Sequence, residues 1–187
     1  MLYDLTNLQR DANKRMGFTA QQTLDYAQSL YEKKLLTYPR TDSRFLTEDM
    51  DAGIPELAGK LAEKFGFHGD LPINSKQVIN NKKVSDHHAI IPTEEFVQLD
   101  KMSNDERKIY DLVVRRFIAV LYPAFEYEQT TMKATVENEL FIAKGKIIIS
   151  SGWKAVYDTT SADSDWDDVD STDSESFHVS SQALPPG

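Results

Sequence analysis

Apolar side chains recur at helical spacing through the first part of the chain. Leu2, Leu5 and Leu8, followed by Arg10, Lys14 and Arg15, predict a short helix or turn with a basic end, broken at Gly17. Thr19 and Gln22 make a capping-box signature ahead of Leu24, Ala27, Leu30 and Tyr31, and the helix they predict runs through Lys33 and Lys34 toward Tyr38. Thr47 predicts a cap for a short turn through Met50. Pro55 suits the first position of a helix carrying Leu57, Ala58, Leu61, Ala62 and Phe65, closed by Gly66. Residues 66–84 are polar and irregular, with one short element expected near 77–79. Ser103 and Glu106 form a second capping box, and Ile109, Leu112, Val113, Phe117, Val120 and Leu121 trace one side of the helix that follows until Pro123 stops it. Arg115 and Arg116 interrupt that helix with positive charge.

Beyond Phe125 the period changes to near alternation. Residues 127–136, 140–149 and 153–157 read as three strands of a meander, with a turn at Glu137, Asn138 and Glu139, and residues 177–184 allow one more strand. The fold class is therefore α+β, a mainly helical domain over 1–126 followed by antiparallel strands over 127–187.

Charge divides the chain differently. The net charge of −9 argues against a broadly basic nucleic-acid-binding surface, yet eight acidic residues and no Lys or Arg lie between 158 and 187, leaving residues 1–157 at −1. The Ser/Thr/Asp-rich run 158–176 has almost nothing to bury and is expected to be disordered. With 187 residues, 40% of them hydrophobic, the chain can build a real core. It has no cysteine, which excludes disulfides and thiolate metal sites and fits a reducing compartment. No apolar run approaches the roughly 20 residues of a membrane span, so a cytoplasmic protein is the expectation.

The densest chemistry lies between Thr37 and Ser43, in Thr-Tyr-Pro-Arg-Thr-Asp-Ser. Pro39 biases Tyr38 toward extended backbone, and two-residue spacing in an extended run puts the Tyr38 phenol and the Arg40 guanidinium on one face, where both can meet a phosphate. A tyrosine beside a proline is also an ordinary packing residue with a wet hydroxyl. Arg40 can equally form a surface ion pair with Asp42 or a neighbour.

This string closely resembles the active-site tyrosine segment of type IA DNA topoisomerases, with the proline pointing to the topoisomerase III branch. A second string, Asp86-His87-His88-Ala89-Ile90-Ile91-Pro92-Thr93, is similar to the histidine segment that follows the tyrosine in the same family. Gly145-Lys146-Ile147 and Gly152-Trp153-Lys154-Ala155-Val156-Tyr157 resemble strands where the chain passes from the tyrosine-bearing gate domain to a β-rich hinge.

The resemblance covers roughly residues 1–157, and it implies a transesterification. Tyr38 attacks a phosphodiester of single-stranded DNA, giving a phosphotyrosyl intermediate and a free hydroxyl, so resealing needs no ATP. A phenol with a pKa of about 10 needs help at neutral pH, which Arg40 can supply while holding a phosphate oxygen. His87 matches the family's histidine near the scissile phosphate. Thr37, Thr41, Ser43, His88, Lys33 and Lys34 are candidate DNA contacts, with at least one of the three hydroxyls expected to be structural. Asp42 is expected to orient Arg40 or cap the next turn. No metal ligands are expected in this chain. Magnesium is expected in the full-length enzyme, in an acidic Toprim domain that this sequence lacks, so the chain looks like a fragment that is inactive alone.

Two other readings stand beside this one. A relaxase-like phosphotyrosyl enzyme usually separates its two metal-binding histidines by one apolar residue, whereas His87 and His88 are adjacent. A non-catalytic single-strand-binding module would stack bases on Tyr127, Phe141, Trp153 and Tyr157.

Overall fold

The computed structural model describes residues 1–67, 73–95, 101–137, 139–157 and the backbone of 178–183. The expected disordered run 158–176 lies outside the described residues.

Among the described residues, four α-helices form the body. The first, α1 (Leu5–Met16), starts at Asp4, whose carboxylate accepts the Asn7 N–H at 2.7 Å, and ends at Gly17 in the left-handed region, φ 70°. Helix α2 (Ala20–Glu32) and helix α4 (Asn104–Leu121) both open on complete capping boxes, Thr19 with Gln22 and Ser103 with Glu106. Between them α3 (Ile54–Phe65) carries Pro55 in its first turn and closes at Gly66, φ 68°. A short 3₁₀ turn over Glu48–Met50 follows Thr47, but the threonine side chain makes no capping bond. The polar stretch before the histidines holds two further 3₁₀ turns, Ser75–Val78 and Asn81–Lys83.

Helix α4 is the centre of the body. Ile109, Leu112, Val113, Phe117, Ile118 and Leu121 are all buried, and α1, α2 and α3 pack around them. The two arginines expected to interrupt α4 are structural instead. Arg115 is buried, paired with Asp111 at 2.7 Å, and donates to the Val156 carbonyl at 2.8 Å. Arg116 lies over the Tyr3 ring and bonds Asp11 at 2.8 Å, while the Tyr3 hydroxyl donates to the same carboxylate. Burial, first of all, and the neighbouring Asp11 charge push the Tyr3 phenol well above its ordinary pKa, although Arg116 opposes them. A neutral Tyr3 therefore locks α1 to α4.

The chain leaves α4 into a long ribbon of β1 (Glu126–Val136) and β2 (Glu139–Ser150), paired antiparallel from Glu126 opposite Ser150 to Val136 opposite Glu139. Glu137, φ 50°, sits in the turn. The third strand is β3 (His178–Ala183), which pairs with β2 so that the order is β1-β2-β3.

Residues 153–157 are not the strand their alternation suggested. Gly152–Val156 is a 3₁₀ turn that folds back under α4, with Val156 and Tyr157 buried. Its residues follow helical spacing, Trp153 to Val156 to Tyr157, which the alternation mimicked. Gly152 makes the return possible. Its φ is 45°, the Trp153 N–H bonds the Pro123 carbonyl at 3.0 Å, and a Cβ at Gly152 would fall 2.2 Å from the Ala124 oxygen.

Candidate functional site

Helix α2 ends short of the lysines expected in its last turn. Lys33 is the cap residue and Lys34, φ 59°, turns the chain out of the helix, its carbonyl accepting the Thr93 hydroxyl. Leu35 and Leu36 are buried, and Leu36 bridges to Pro92. Burial then alternates. Pro39, Thr41 and Ser43 are buried whereas Arg40 and Asp42 are exposed and Tyr38 is half-buried. The two-residue spacing thus leaves Tyr38, Arg40 and Asp42 on the outer side, as extended backbone requires.

The inner hydroxyls all bond the backbone. Thr37 donates to the Ala89 carbonyl at 3.2 Å and accepts the Ile91 N–H at 3.0 Å. Thr41 donates to the His87 carbonyl at 3.0 Å and accepts the Ser43 N–H at 3.1 Å. Ser43 donates to the Lys83 carbonyl at 2.8 Å and accepts the Phe45 N–H at 3.2 Å. A main-chain bond from the Thr37 N–H to Ile91 (3.0 Å) and another from the Ala89 N–H to Phe45 (2.9 Å) complete the join. Three side chains chosen from the sequence as possible phosphate donors therefore stitch the tyrosine segment to the histidine segment.

These stitches bring Tyr38 and His87 together. Their ring centroids are 4.3 Å apart at 41°, and His87 is exposed. On the other flank the Tyr31 ring meets Tyr38 edge-on, with centroids 5.4 Å apart at 79°. His88 turns away, its Nδ1 lying 2.8 Å from the Ala89 carbonyl, where the Nδ1-protonated tautomer donates. Asp42 accepts from Ser85 at 3.3 Å and is not paired with Arg40, so of its two expected roles the orienting one does not form. Arg40 is exposed and forms no ion pair among the described residues. Lys34 is exposed as well.

Lys33 is engaged elsewhere. Its ammonium sits 2.6 Å from Glu106 Oε1, which also accepts the Ser29 hydroxyl at 2.6 Å, while Oε2 takes the Ser103 N–H at 2.7 Å. Burial pushes the Glu106 carboxyl up, but the bonds from Lys33, Ser29 and Ser103 outweigh it and hold the pKa at about 2. The sequence marked Glu106 as a helix cap and did not reveal this tie between the α4 start and the α2 end. Tyr31 was also missed. Its position beside Leu30 reads as core, yet Leu30 is fully buried and Tyr31 is 40% exposed.

The geometry bears on the other two readings. The His87 ring meets Tyr38 while His88 Nδ1 meets the Ala89 carbonyl, and among the described residues no group of three or more His, Asp or Glu is placed to hold a metal. Of the four aromatics of a binding sheet, Tyr157 is buried and Trp153 half-buried beneath α4, off the sheet. Tyr127 and Phe141 remain on the strands.

The sequence profile of the DNA topoisomerase family matches residues 1–183. DNA topoisomerase 3 of Bacillus thuringiensis (strain Al Hakam) is 51% identical over 183 residues, covering 90% of this chain and 24% of that protein. DNA topoisomerase 3 of Bacillus subtilis (strain 168) is 52% identical over 177 residues, covering 89% and 24%. The chain thus spans about a quarter of the length of the curated relatives it matches. Among solved structures, full-length topoisomerase I from Thermotoga maritima superposes over 98% of this chain and 32% of its own, with a TM-score of 0.58 at 21% identity, which bears on the fold alone.

Proposed function

The chain belongs to the DNA topoisomerase family, and we propose that it is the tyrosine-bearing part of a type IA enzyme of the topoisomerase III kind, with residues 1–126 as the gate domain and 127–187 as part of a β-rich hinge. Tyr38 is the nucleophile. Its phenolic oxygen attacks the phosphorus of a phosphodiester in single-stranded DNA. The bond to tyrosine forms, the bond to the leaving sugar oxygen breaks, and the phenolic proton is lost as that oxygen becomes a free hydroxyl. Reversal reseals the strand without ATP. Arg40 holds a non-bridging oxygen while charge develops, and His87 donates a hydrogen bond to the phosphate or the adjacent sugar. Lys34 contributes a backbone contact. Lys33 joins it only by releasing Glu106, and Thr37, Thr41, Ser43 and His88 act by fixing the shape of the segment.

The observation that carries this reading is the contact of the Tyr38 and His87 rings, 4.3 Å apart, on a ledge whose inner hydroxyls are all committed to backbone. No helix among the described residues is long and apolar enough to cross a membrane, and cytoplasmic action on DNA is part of the proposal. Magnesium and the Toprim domain that would hold it belong to the remaining length of such a protein, and the isolated chain is inactive.

The test uses the full-length protein with a labelled single-stranded oligonucleotide, scored for a denaturant-resistant protein–DNA adduct. Tyr38→Phe is expected to abolish the adduct while leaving binding intact. An adduct that persists without the hydroxyl removes Tyr38 as nucleophile.

A further inference from the structure

Tyr31 stands out among the aromatic residues of the body. Tyr3, Tyr110, Tyr122 and Tyr157 are buried, whereas Tyr31 is 40% exposed and its hydroxyl has no hydrogen-bond partner among the described residues. It is nevertheless held in place. Thr23, Leu24, Ala27 and Leu30 anchor α2 in the core, the Tyr31 carbonyl accepts the Lys34 N–H at 2.8 Å, and the ring lies edge-on to Tyr38. An edge-on pair leaves ring surface uncovered, so with 40% of Tyr31 exposed, aromatic surface lies directly beside the reacting phenol. The exposed Lys34 follows it by three residues.

We propose that Tyr31 is a stacking platform for one unpaired base next to the phosphate that Tyr38 attacks. The proposal rests on the reading of Tyr38 as nucleophile and adds how the site selects its substrate. A nucleobase offers an apolar π face of the size of the phenol ring, and stacking of this kind is tolerant of base identity. A base inside a duplex has both faces covered by its neighbours, so a platform at this position favours single strands over paired ones. Tyr31, Tyr38 and His87 then form one row of rings, with Tyr31 gripping the base and the other two addressing the phosphate.

The test compares wild type, Tyr31→Phe and Tyr31→Leu in the full-length protein, using oligonucleotides with a fluorescent adenine analogue placed in turn at each position around the cleavage point. Tyr31→Leu is expected to weaken single-strand binding about 10- to 100-fold and to abolish the fluorescence change at one position flanking the cleavage point. Adduct yield at saturating DNA should fall by less than the affinity does, because stacking supplies binding more than chemistry. Tyr31→Phe, which keeps the face, should restore both affinity and fluorescence. Wild-type affinity and fluorescence in Tyr31→Leu would overturn the proposal. So would a leucine variant that binds normally but loses the adduct, since Tyr31 would then only prop Tyr38, and so would a phenylalanine variant as weak as leucine. Failure of the underlying reading shows separately, as an adduct that survives Tyr38→Phe.

Discussion

The helical body and the β1–β2 ribbon treat the same kinds of side chain in opposite ways. In the body Ile109, Phe117 and Ile118 are 0% exposed, while in the ribbon Ile147, Ile148 and Ile149 are 66%, 62% and 65% exposed. Every residue of β1 whose burial is described is open as well. Among the described residues, strand pairing satisfies the ribbon's backbone without giving its side chains a layer to pack on, and cross-strand pairs are what hold it. The body gains from both burial and hydrogen bonding, and the ledge carrying Tyr38 is built on it. The proposed chemistry needs side chains fixed on several sides, and among the described residues the body offers that.

Four measurements sharpen or break this contrast. Phe117→Ala in α4 should cost about 3–5 kcal/mol in denaturant titrations followed by helical signal. A cost below about 1 kcal/mol would mean the body is not the packed element. Thr41→Val removes the hydroxyl that serves both the His87 carbonyl and the Ser43 N–H, and should cost about 2 kcal/mol, with faster hydrogen exchange at Ser43. The Glu106 pKa is depressed from 4.5 to about 2, so its contribution is complete above pH 4.5 and is lost as pH falls toward 2. Allowing for screening at the partly exposed Lys33, about 1–2 kcal/mol should disappear over that window and be missing at all pH values in Glu106→Gln. At the small end, Ile148→Ser in the ribbon should change stability by no more than about 0.5 kcal/mol. A loss above about 1 kcal/mol would show that this face is covered in solution.

Helix boundaries were legible because caps are local. Thr19 with Gln22, Ser103 with Glu106, Gly17 and Gly66 each announce a terminus within four residues. The long ribbon and the strand at 178–183 were legible from alternation. The 153–157 turn was misread because alternation over five residues also fits one helical turn, and the deciding contact with Ala124 is tertiary. At the site, the period of two correctly set Tyr38 and Arg40 to one side. It also implied that the intervening hydroxyls face the other way, and Thr37, Thr41 and Ser43 were read as phosphate or backbone donors without a partner to name, because their backbone partners lie 40 to 54 residues further along. Arg115 was read as an interruption of the helix and Lys33 as a candidate DNA contact, and neither reading could name the partners the fold supplies. Lys33's partner Glu106 and Arg115's second partner, the Val156 carbonyl, are distant in the chain, whereas the Asp111 carboxylate that pairs with Arg115 lies only four residues before it.

The stitching of residues 37–43 to residues 83–91 has a mechanical meaning. The phenol and the imidazole come from different stretches, but the hydroxyl bonds make them parts of one solid piece. Translating or rotating the body carries both rings with their spacing intact, so under the proposed function any departure and return of this part would have a single docking coordinate to recover rather than two positions to re-register.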